Sequence, residues 1–524
     1  MTGTEHSEAN ASTATTAGST ASATLPPSFR IILTGGTERH LGVDGELVLL
    51  GGDPLRLLRL SPTSSAVLGA LASGQSLSEA STACRVSLRA ATGLTRRLLD
   101  AGIAHPRIDP ELDPELDPEL DPELGVTIVI PVRDRVRPLE RLLTSIRNDP
   151  DTARSTVIVV DDGSAVEARD AIAELAARHA ASVIRHEPTR GPAAARNAGG
   201  ATADTDYIAF IDSDCEVTPG WLSRCRQHFA DPLVGVVAPR IRAIEQPSNH
   251  PLYAYESVHS PLDLGSLPAR VAPMHRVAYV PAAALVVRRE VFEVLGGFDE
   301  ALHVGEDVDF VWRANANAHT VRYEPSARVA HNHRTSWKGF AKRRFQYATS
   351  TALLDARHPG QVPPLVISPW SIGAWVAVAT QTVTGLLGTL GIVVFSAAKF
   401  PAKLSMLREP GPVATRLVFR GHVGAGRQLA SATWRAYLPL ALVAGLFSRR
   451  ARRWTIASGL TANVVHFRER KPNLNVASYV GIRLLDDTSY CAGLWWGCMT
   501  TRNVGPLKPN IVNWPGRRSV TEDA

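Results

Sequence analysis

Four short apolar runs alternate with helix-like segments between residues 126 and 214. Each run is rich in Val and Ile and is too short to be a helix, so each predicts a buried strand. The segments between them have the length and spacing of amphipathic helices, a succession that predicts a doubly wound α/β sheet. Such sheets bind ligands beyond the carboxyl ends of their strands. The four runs cover residues 126–131, 157–160, 183–185 and 207–211.

Acidic clusters follow two of these runs directly. Asp161 and Asp162 stand after the second run, and Asp212 and Asp214 after the fourth. A carboxylate at the first position can accept hydrogen bonds from a nucleotide base or ribose, although Asp-Asp-Gly also makes ordinary turns. Two carboxylates separated by one residue can bind one divalent cation; the alternative is a helix cap. The pattern therefore predicts a nucleotide and a metal at one edge of the sheet.

Charged side chains further along the chain complete a candidate active site. Glu306 and Asp307 open a predicted helix, and an ionised Asp307 there can act as general base. Simple N-capping is the alternative role for both. Arg196 lies in a helix that begins near residue 191 and could face the donor, or merely belong to a surface helix. His331 and His333 close a later strand, where an imidazole could complete a metal site.

Composition excludes some classes of protein. The chain carries 56 Lys and Arg against 50 Asp and Glu, a formal charge of +6, which does not favour nucleic acid as a partner. Five cysteines with no CxxC pair indicate reduced thiols rather than a disulfide framework. The first residues lack the apolar segment of a secretory signal, so we expect a cytosolic catalytic site.

A long uncharged stretch predicts contact with a membrane. No charged residue occurs from 359 to 398, and the apolar part, 365–398, exceeds the roughly 20 residues that one span needs. A polar Thr-Gln-Thr break and basic residues on both flanks favour a hairpin entered from the cytoplasm, with lipid as a partner. The apolar run 436–447 suits an interfacial or buried helix. A soluble helical domain is the alternative.

The chain divides into five predicted parts by pattern. Consecutive Asp-Pro-Glu-Leu units cannot form a packed helix, because each proline lacks an amide donor, and they predict a stiff linker. The parts are a disordered tail at 1–29, a small winged-helix-like module at 30–108, the repeat linker at 109–124, the α/β domain at 125–350, and a helical, membrane-associated region at 351–524.

The segment from about residue 125 to 336 resembles the family 2 glycosyltransferases of the GT-A fold. The matching motifs are Ile-Pro-Val-Arg at 130–133, Val-Asp-Asp-Gly-Ser at 160–164, Arg-Gly-Pro-Ala-Ala-Ala-Arg-Asn-Ala-Gly at 190–199, Asp-Ser-Asp at 212–214, Gly-Gly-Phe-Asp-Glu at 296–300 and Gly-Glu-Asp-Val-Asp at 305–309.

This resemblance implies roles for individual residues. Pro131, Arg133, Asp161, Asp162, Arg196 and Asp212 would bind the nucleotide sugar. Asp212 and Asp214 with His331 or His333 would bind Mn²⁺ or Mg²⁺. Asp307, with Glu306 beside it, would be the base of an inverting displacement.

Residues 49–106 are similar to the small peptide-binding modules of pathways that make peptide-derived cofactors. That similarity implies UDP-glucose as donor, a ribosomally derived redox cofactor precursor as acceptor, and extension of a β-1,4-glucose chain. The module at 30–108 would then bind a peptide or a maturation enzyme. Transfer to a polyprenyl lipid or a cell-envelope glycan is a second hypothesis. A catalytically inactive, peptide-binding membrane adaptor is a third, and the intact acidic residues argue against it.

Overall fold

A computed structural model describes residues 24–109, 125–244, 250–332 and 336–512. Most of the predicted tail, most of the repeat linker and His333 lie outside these ranges. The described residues form three regions that follow one another along the chain: a small α/β module, a central sheet covered by helices, and a group of long helices.

The N-terminal module combines two small sheets with three helices. Strands β1 and β5 pair antiparallel, and β2, β3 and β4 form an antiparallel three-stranded sheet. Ser61 caps the first helix by accepting a hydrogen bond from the Ser64 amide at 3.2 Å, as its sequence position predicts. The elements are β1 (Ile31–Leu33), β2 (Glu38–Leu41), β3 (Leu47–Gly51), β4 (Arg56–Leu60), α1 (Pro62–Ala72), α2 (Leu77–Ala83), α3 (Leu88–Asp100) and β5 (Ala104–Pro106).

This module begins earlier than the sequence predicted. Leu25 and Phe29 were assigned to a disordered tail, but both are buried in the same apolar cluster as Ile31 and Leu71. Burying two large apolar side chains stabilises the ordered state, which is why the chain is fixed before residue 30. The boundary at residue 29 is therefore a few residues too late.

The central sheet confirms the predicted α/β class. Strands β9, β6, β7 and β8 are parallel neighbours, joined by helical crossovers. Beyond β9 the sheet becomes mixed in the order β13, β11, β14 and β10, with β12 paired to β14. The strands are β6 (Val126–Val132), β7 (Thr156–Asp162), β8 (Ser182–His186), β9 (Tyr207–Ile211), β10 (Cys215–Val217), β11 (Val234–Ala243), β12 (Ala269–Val271), β13 (Ala284–Arg288) and β14 (Thr320–His331).

Helices cover both faces of this sheet. Alternate side chains of the strands enter two separate apolar clusters, one on each face, as expected for a sheet buried on both sides. The helices are α4 (Val136–Asn148), α5 (Val166–Arg178), α6 (Pro192–Ala201), α7 (Trp221–Arg226), α8 (Pro251–His259), α9 (Arg289–Val294) and α10 (Glu306–Ala316).

Long helices make up the C-terminal region. The predicted domain boundary at residue 350 falls inside α11, a continuous helix of 21 residues, because its polar and apolar pattern runs on without a break. Two short strands, β15 (Val366–Ile367) and β16 (Asn510–Ile511), pair in parallel. The helices are α11 (Trp337–Arg357), α12 (Pro369–Ala379), α13 (Val383–Lys399), α14 (Pro410–Arg435), α15 (Leu438–Phe447), α16 (Arg449–Arg470) and α17 (Val476–Thr501).

The uncharged stretch forms a helical hairpin. Helices α12 and α13 meet at a turn where Thr382 caps α13, the position at which the sequence predicted a break. No residue of α13 is buried. Within the described ranges, one helical segment, Val383–Leu404, has the length and apolar composition to cross a membrane; the bent pair α14 and α15 would add a second.

Helices α11 and α17 pack at van der Waals distance through two glycines. A β-carbon at Gly497 would lie 2.6 Å from the Thr349 carbonyl oxygen, and one at Gly493 would lie within contact distance of the Phe345 carbonyl. The two backbones can come this close only because both positions are glycine, which has no β-carbon. The two helices are therefore in direct backbone contact.

We expect Gly493→Ala to destabilise the protein by about 1–3 kcal/mol, because the new methyl group overlaps the α11 backbone. Gly481→Ala is the matched control: it lies in the same helix with no atom near its β-carbon position. That control should be neutral or stabilise by about 0.5–1 kcal/mol. Thermal unfolding of both variants measures the difference, and equal midpoints would contradict the close packing.

Candidate active site

A buried arginine joins two acidic motifs at the carboxyl edge of the sheet. Arg196, on α6, donates to Asp212 Oδ1 at 2.7 Å and to Glu306 Oε1 at 2.8 Å. Asp212 directly follows β9, and Glu306 is the first residue of α10. The Arg196 side chain is 4% exposed, so its charge depends on these carboxylates rather than on water.

Asp307 lies beside this ionic cluster. Its carboxylate accepts hydrogen bonds from the Ala282 amide at 3.2 Å and from the Val308 amide at 2.8 Å. The second donor belongs to the first turn of α10, where free amides favour a negative charge. Asp307 is half-buried, so one side of it remains open to an incoming group.

Glu306 and Asp307, which are neighbours in sequence, both have raised pKa values. Burial raises the pKa of Glu306 to about 7; the Asp307 charge also raises it, and Arg196 opposes both effects. Burial likewise raises the pKa of Asp307 above the usual range of an aspartate, again against the pull of Arg196. A carboxylate with a raised pKa is a stronger base, as general-base catalysis near neutral pH requires.

Asp214 faces a different set of partners. The short strand β10 pairs antiparallel with the end of β14, with Cys215 opposite His331. This register brings His331 Nε2 to 3.4 Å from Asp214 Oδ1, while Arg135 forms an ion pair with Oδ2. Burial alone would raise the pKa of Asp214, but His331 and Arg135 hold it well below the ordinary value. Asp214 is therefore ionised at neutral pH.

The side chains near Asp214 are of types that bind a hard divalent cation. A carboxylate and an imidazole are common ligands of Mn²⁺, and a nucleotide diphosphate would supply further oxygens. Among the described residues, no group of three His, Cys, Asp or Glu side chains already gathers as a preformed metal site. One oxygen of Asp212 is engaged by Arg196. Joint binding of a cation by Asp212 and Asp214 stays a prediction, and His333 lies outside the described residues.

Asp162 ties the loop before α6 to the central sheet. It accepts hydrogen bonds from His186 Nδ1 at 2.9 Å, Thr189 Oγ1 at 2.6 Å, and the amides of Arg190 and Gly191 at 2.8 and 2.9 Å. These hydrogen bonds lower its pKa although burial opposes them. Asp162 thus shapes the loop that leads to Arg196.

Asp161 and the first motif lie on the neighbouring part of the edge. Asp161 is buried and accepts from the Ser164 amide at 3.0 Å and from Arg185 at 2.6 Å. Pro131 is half-buried in β6, and Arg133 is exposed just beyond that strand. Their assignment to donor binding remains a prediction.

Sequence reasoning did not single out Arg135 and Arg185. Each forms an ion pair with an acidic residue that the motifs did identify, Asp214 and Asp161 respectively. Arg135 stands two positions after Arg133, and this basic segment is the feature of the sequence that could have indicated Arg135 as a site residue. Its partner lies 79 positions away in sequence, and only the fold brings the two together.

The sheet is GT-A-like and has clustered carboxylates at the carboxyl edge of its strands, and together with the family matches it identifies the protein as a glycosyltransferase. A family model described as "Glycosyl transferase family 2" matches residues 127–296. This match covers strands β7 to β9 and the acidic residues that follow β7 and β9, and it ends before Glu306 and Asp307.

Relatives identify the family over nearly the whole chain. The pre-mycofactocin glycosyltransferase of Mycobacterium tuberculosis is 39% identical over 497 residues, which is 93% of this chain and 98% of that protein. The chain belongs to the family 2 glycosyltransferases and, within them, to the group of the mycofactocin system. A second relative, polypeptide N-acetylgalactosaminyltransferase 15 of Mus musculus, is 28% identical over 40% of this chain and 36% of its own length.

A mannosyltransferase from Pyrobaculum calidifontis, solved with GDP-Man and Mn²⁺, overlaps 72% of this chain and 89% of its own. The two are 17% identical, with a TM-score of 0.37.

We expect the acid limb of kcat/KM to have an apparent pKa above the usual value of an aspartate, because Asp307 must be ionised to act as the base and burial raises its pKa. Activity therefore rises as pH increases through this value. Glu306→Gln should move the limb to lower pH, since it removes the neighbouring negative charge. Glu293→Gln, on the exposed surface of α9, is the control and should leave the profile unchanged. A limb that stays in place in Glu306→Gln would show that another group controls it.

Proposed function

We propose that this enzyme transfers glucose from UDP-glucose to pre-mycofactocin, a peptide-derived redox cofactor precursor, and extends a β-1,4-glucan on it. The acceptor is suggested by the name of the relative from M. tuberculosis, which aligns over almost the full length of both chains. Glucose, UDP and the linkage are inferred from the likeness to glycosyltransferases of this type. Glycosyl transfer itself is already assigned, and the donor, the acceptor and the linkage are what we propose.

The mechanism is inferred from the position of Asp307 beside the ion pairs that Arg196 makes with Asp212 and Glu306. We infer an inverting, direct displacement in which Asp307 takes the proton of the acceptor hydroxyl. The acceptor oxygen forms the new bond to the anomeric carbon, and the bond from that carbon to UDP breaks. UDP leaves with the electron pair. Arg196 keeps Asp212 and Glu306 in place and favours the ionised form of Asp307 through its charge.

Donor binding is assigned to the carboxyl edge of strands β6, β7 and β9. Pro131, Arg133, Asp161 and Asp162 would contact the nucleotide. Asp214, His331 and Asp212 would hold Mn²⁺ or Mg²⁺, which when bound neutralises the charge that develops on the diphosphate. Arg135 must then share or release Asp214 when the cation binds.

An exposed apolar surface suggests where the enzyme is located. Val383 on α13 and Leu446 and Phe447 on α15 are exposed by 76%, 75% and 87%. Such side chains are unfavourable in water and indicate an apolar partner. Four arginines follow at once in α16, at positions 449, 450, 452 and 453, and suit anionic lipid head groups. We propose attachment to the cytoplasmic face of the membrane through α12, α13 and α15.

The N-terminal module is the proposed site for a peptide or a maturation enzyme. The end of β2 and the chain after it already bond to the C-terminal region through the Leu41 carbonyl and the Val43 amide. Strand β4 pairs only with β3 among the described residues, so its other edge is the candidate for an added peptide strand.

A second candidate function is transfer to a polyprenyl lipid or a cell-envelope glycan. The exposed helices α13 and α15 favour it, since a lipid-linked acceptor would approach along the same apolar surface. Incubating the full chain with UDP-glucose and either pre-mycofactocin or polyprenyl phosphate distinguishes the two. Glucose on the lipid alone would replace the leading proposal, and no turnover with any acceptor would favour the inactive adaptor.

Asp307→Asn should reduce transfer by about 10²- to 10⁴-fold, because the amide cannot accept the acceptor proton. UDP binding, measured by calorimetry, should stay at the level of the unmodified enzyme. Asp170→Asn, in an exposed ion pair on α5, is the matched control and should keep full activity. Transfer that survives Asp307→Asn within a few-fold would place the base elsewhere.

Asp214→Asn should weaken binding of Mn²⁺ in the presence of UDP by at least about tenfold, since it removes the charged ligand. Electron paramagnetic resonance of free Mn²⁺ measures this directly. Glu216→Gln, two residues later and paired with the exposed Arg141, should bind Mn²⁺ normally. Equal affinities in the two variants, or transfer that needs no metal, would remove Asp214 from the proposed site.

A further inference from the structure

Helix α13 packs against the protein with one face and exposes an apolar outer face. On the packed side, the Thr389 hydroxyl donates to the Ala374 carbonyl of α12 at 3.0 Å, and Ser396 Oγ lies 3.1 Å from His422 Nε2 of α14. The outer face carries large apolar side chains at helical spacing, each exposed by 59% or more. They are Val383, Leu386, Leu387, Leu390 and Val394. This outer face therefore needs an apolar partner.

Contacts of α12 set the height of α14 beside α13. Ala374, which accepts from Thr389 near the middle of α13, is followed directly by Trp375. Trp375 Nε1 donates to the His422 carbonyl at 2.8 Å, and a β-carbon at Gly426 would overlap the Trp375 ring. This stretch of α14 therefore lies level with the middle of α13.

A spanning α13 would carry charged residues into the bilayer with it. Arg427 directly follows Gly426, and its guanidinium lies 3.0 Å from the Glu469 carboxylate of α16. Both side chains are exposed, by 58% and 47%. If α13 crossed the membrane, this ion pair would lie near the bilayer centre, where charged groups are strongly unfavourable. The packing of α14 thus argues against a span, although the composition of α13 would allow one.

The charged side of α14 faces away from α13. Successive residues of an α-helix are rotated by about 100°, so three exposed arginines of α14 fall on the side roughly opposite His422, which contacts α13. They are Arg416, Arg420 and Arg427. The helical layer thus has an apolar surface on the α13 side and a cationic, hydrated surface on the other.

Basic residues lie at both ends of α13. At its start, Gln381 Nε2 donates to the Arg450 carbonyl at 2.8 Å, which brings the arginine-rich beginning of α16 beside the turn. At its end, Lys399 and Lys403 lie over aromatic rings, 5.8 and 5.9 Å from the ring centres. Between residues 356 and 468 the sequence holds thirteen Lys and Arg and one acidic residue. This excess is complementary to an anionic surface, whereas a second copy of the chain would present the same positive charge.

We propose that α13 is an in-plane anchor, which lies within one leaflet of a membrane that contains anionic phospholipids and does not cross it. Its outer face contacts acyl chains, and the basic groups at its two ends contact phosphates of the head groups. A helix of 17 residues is about 26 Å long, so both ends can reach head groups of the same leaflet. The arginines of α14 stay in water on the other side. This inference rests on the proposed membrane attachment.

The first test measures the depth of α13 in the bilayer. The full chain is reconstituted into vesicles of phosphatidylcholine and phosphatidylglycerol, with a fluorophore on the new thiol of Val383→Cys, Leu390→Cys or Val394→Cys. Lipids with a spin label near the head group should quench all three positions equally, and more strongly than lipids labelled at the end of the acyl chain. In a spanning helix, the first and last positions would differ in depth by about 16 Å.

Two controls accompany the depth measurement. Arg420→Cys, on the opposite side of α14, should stay in water and resist both kinds of quencher. The unmodified chain, treated with the same fluorophore, gives the background from the five native cysteines, of which four are buried.

The second test measures affinity by sedimentation with vesicles. Replacing phosphatidylglycerol by phosphatidylcholine should weaken binding of the unmodified chain by at least about tenfold. Leu390→Asp should weaken binding to the anionic vesicles by a similar factor, because it places a charge among the acyl chains. Val294→Asp, at a residue of α9 that is 71% exposed, is the matched control and should bind normally. Thermal unfolding should be unchanged in both variants, which separates membrane binding from folding.

Two outcomes would overturn the in-plane anchor: quenching that shifts from head-group labels to chain-end labels along α13, as in a span, or equal affinity for the two lipid compositions. A failure of the proposed attachment differs, because the unmodified chain would then bind neither kind of vesicle. A dimer in solution that Leu390→Asp abolishes, measured by analytical ultracentrifugation, would assign the outer face to a second copy and contradict the lipid proposal.

Discussion

The ionic contact of Arg196 with Asp212 and Glu306 is the constraint on which the active site depends. A buried guanidinium without partners would cost several kcal/mol, so the folded chain must bring both carboxylates to it. One carboxylate follows strand β9 and the other begins helix α10, while Arg196 belongs to α6. The same contact thus joins three elements that are distant in sequence. Asp307 lies next to this contact because it directly follows Glu306 in α10.

Charge balance at this edge explains why a cation belongs in the proposed mechanism. Asp212, Asp214, Glu306 and Asp307 contribute four carboxylates, and Arg135 and Arg196 contribute two guanidinium groups. When all four carboxylates are ionised, a nucleotide diphosphate that approaches this surface meets more negative than positive charge. A divalent ion between them would convert repulsion into attraction.

Local patterns in the sequence predicted the sheet and its acidic edge, because short apolar runs and the residues that follow them are adjacent in the chain. Strands β6, β7, β8 and β9 formed where those runs occur, and Asp212 and Asp214 follow β9. Contacts between distant segments could not be predicted in this way. The pairing of Arg135 with Asp214 and the register of β10 with β14 both depend on tertiary packing. Burial of Leu25 and the continuity of α11 likewise displaced two predicted boundaries.

The N-terminal module is held in place from two sides. Arg96 pairs with Asp231 of the central domain at 2.7 Å, and the end of β2 with the chain after it bonds to residues 406 and 408 of the C-terminal region. Neither attachment involves the Asp-Pro-Glu-Leu repeats. A further contact lies where the repeats begin, because the Asp109 amide and carbonyl both bond to the Gln227 side chain at 2.9 and 3.0 Å. Separating the module from the rest of the enzyme would therefore expose charged and polar groups on both of the other regions to water.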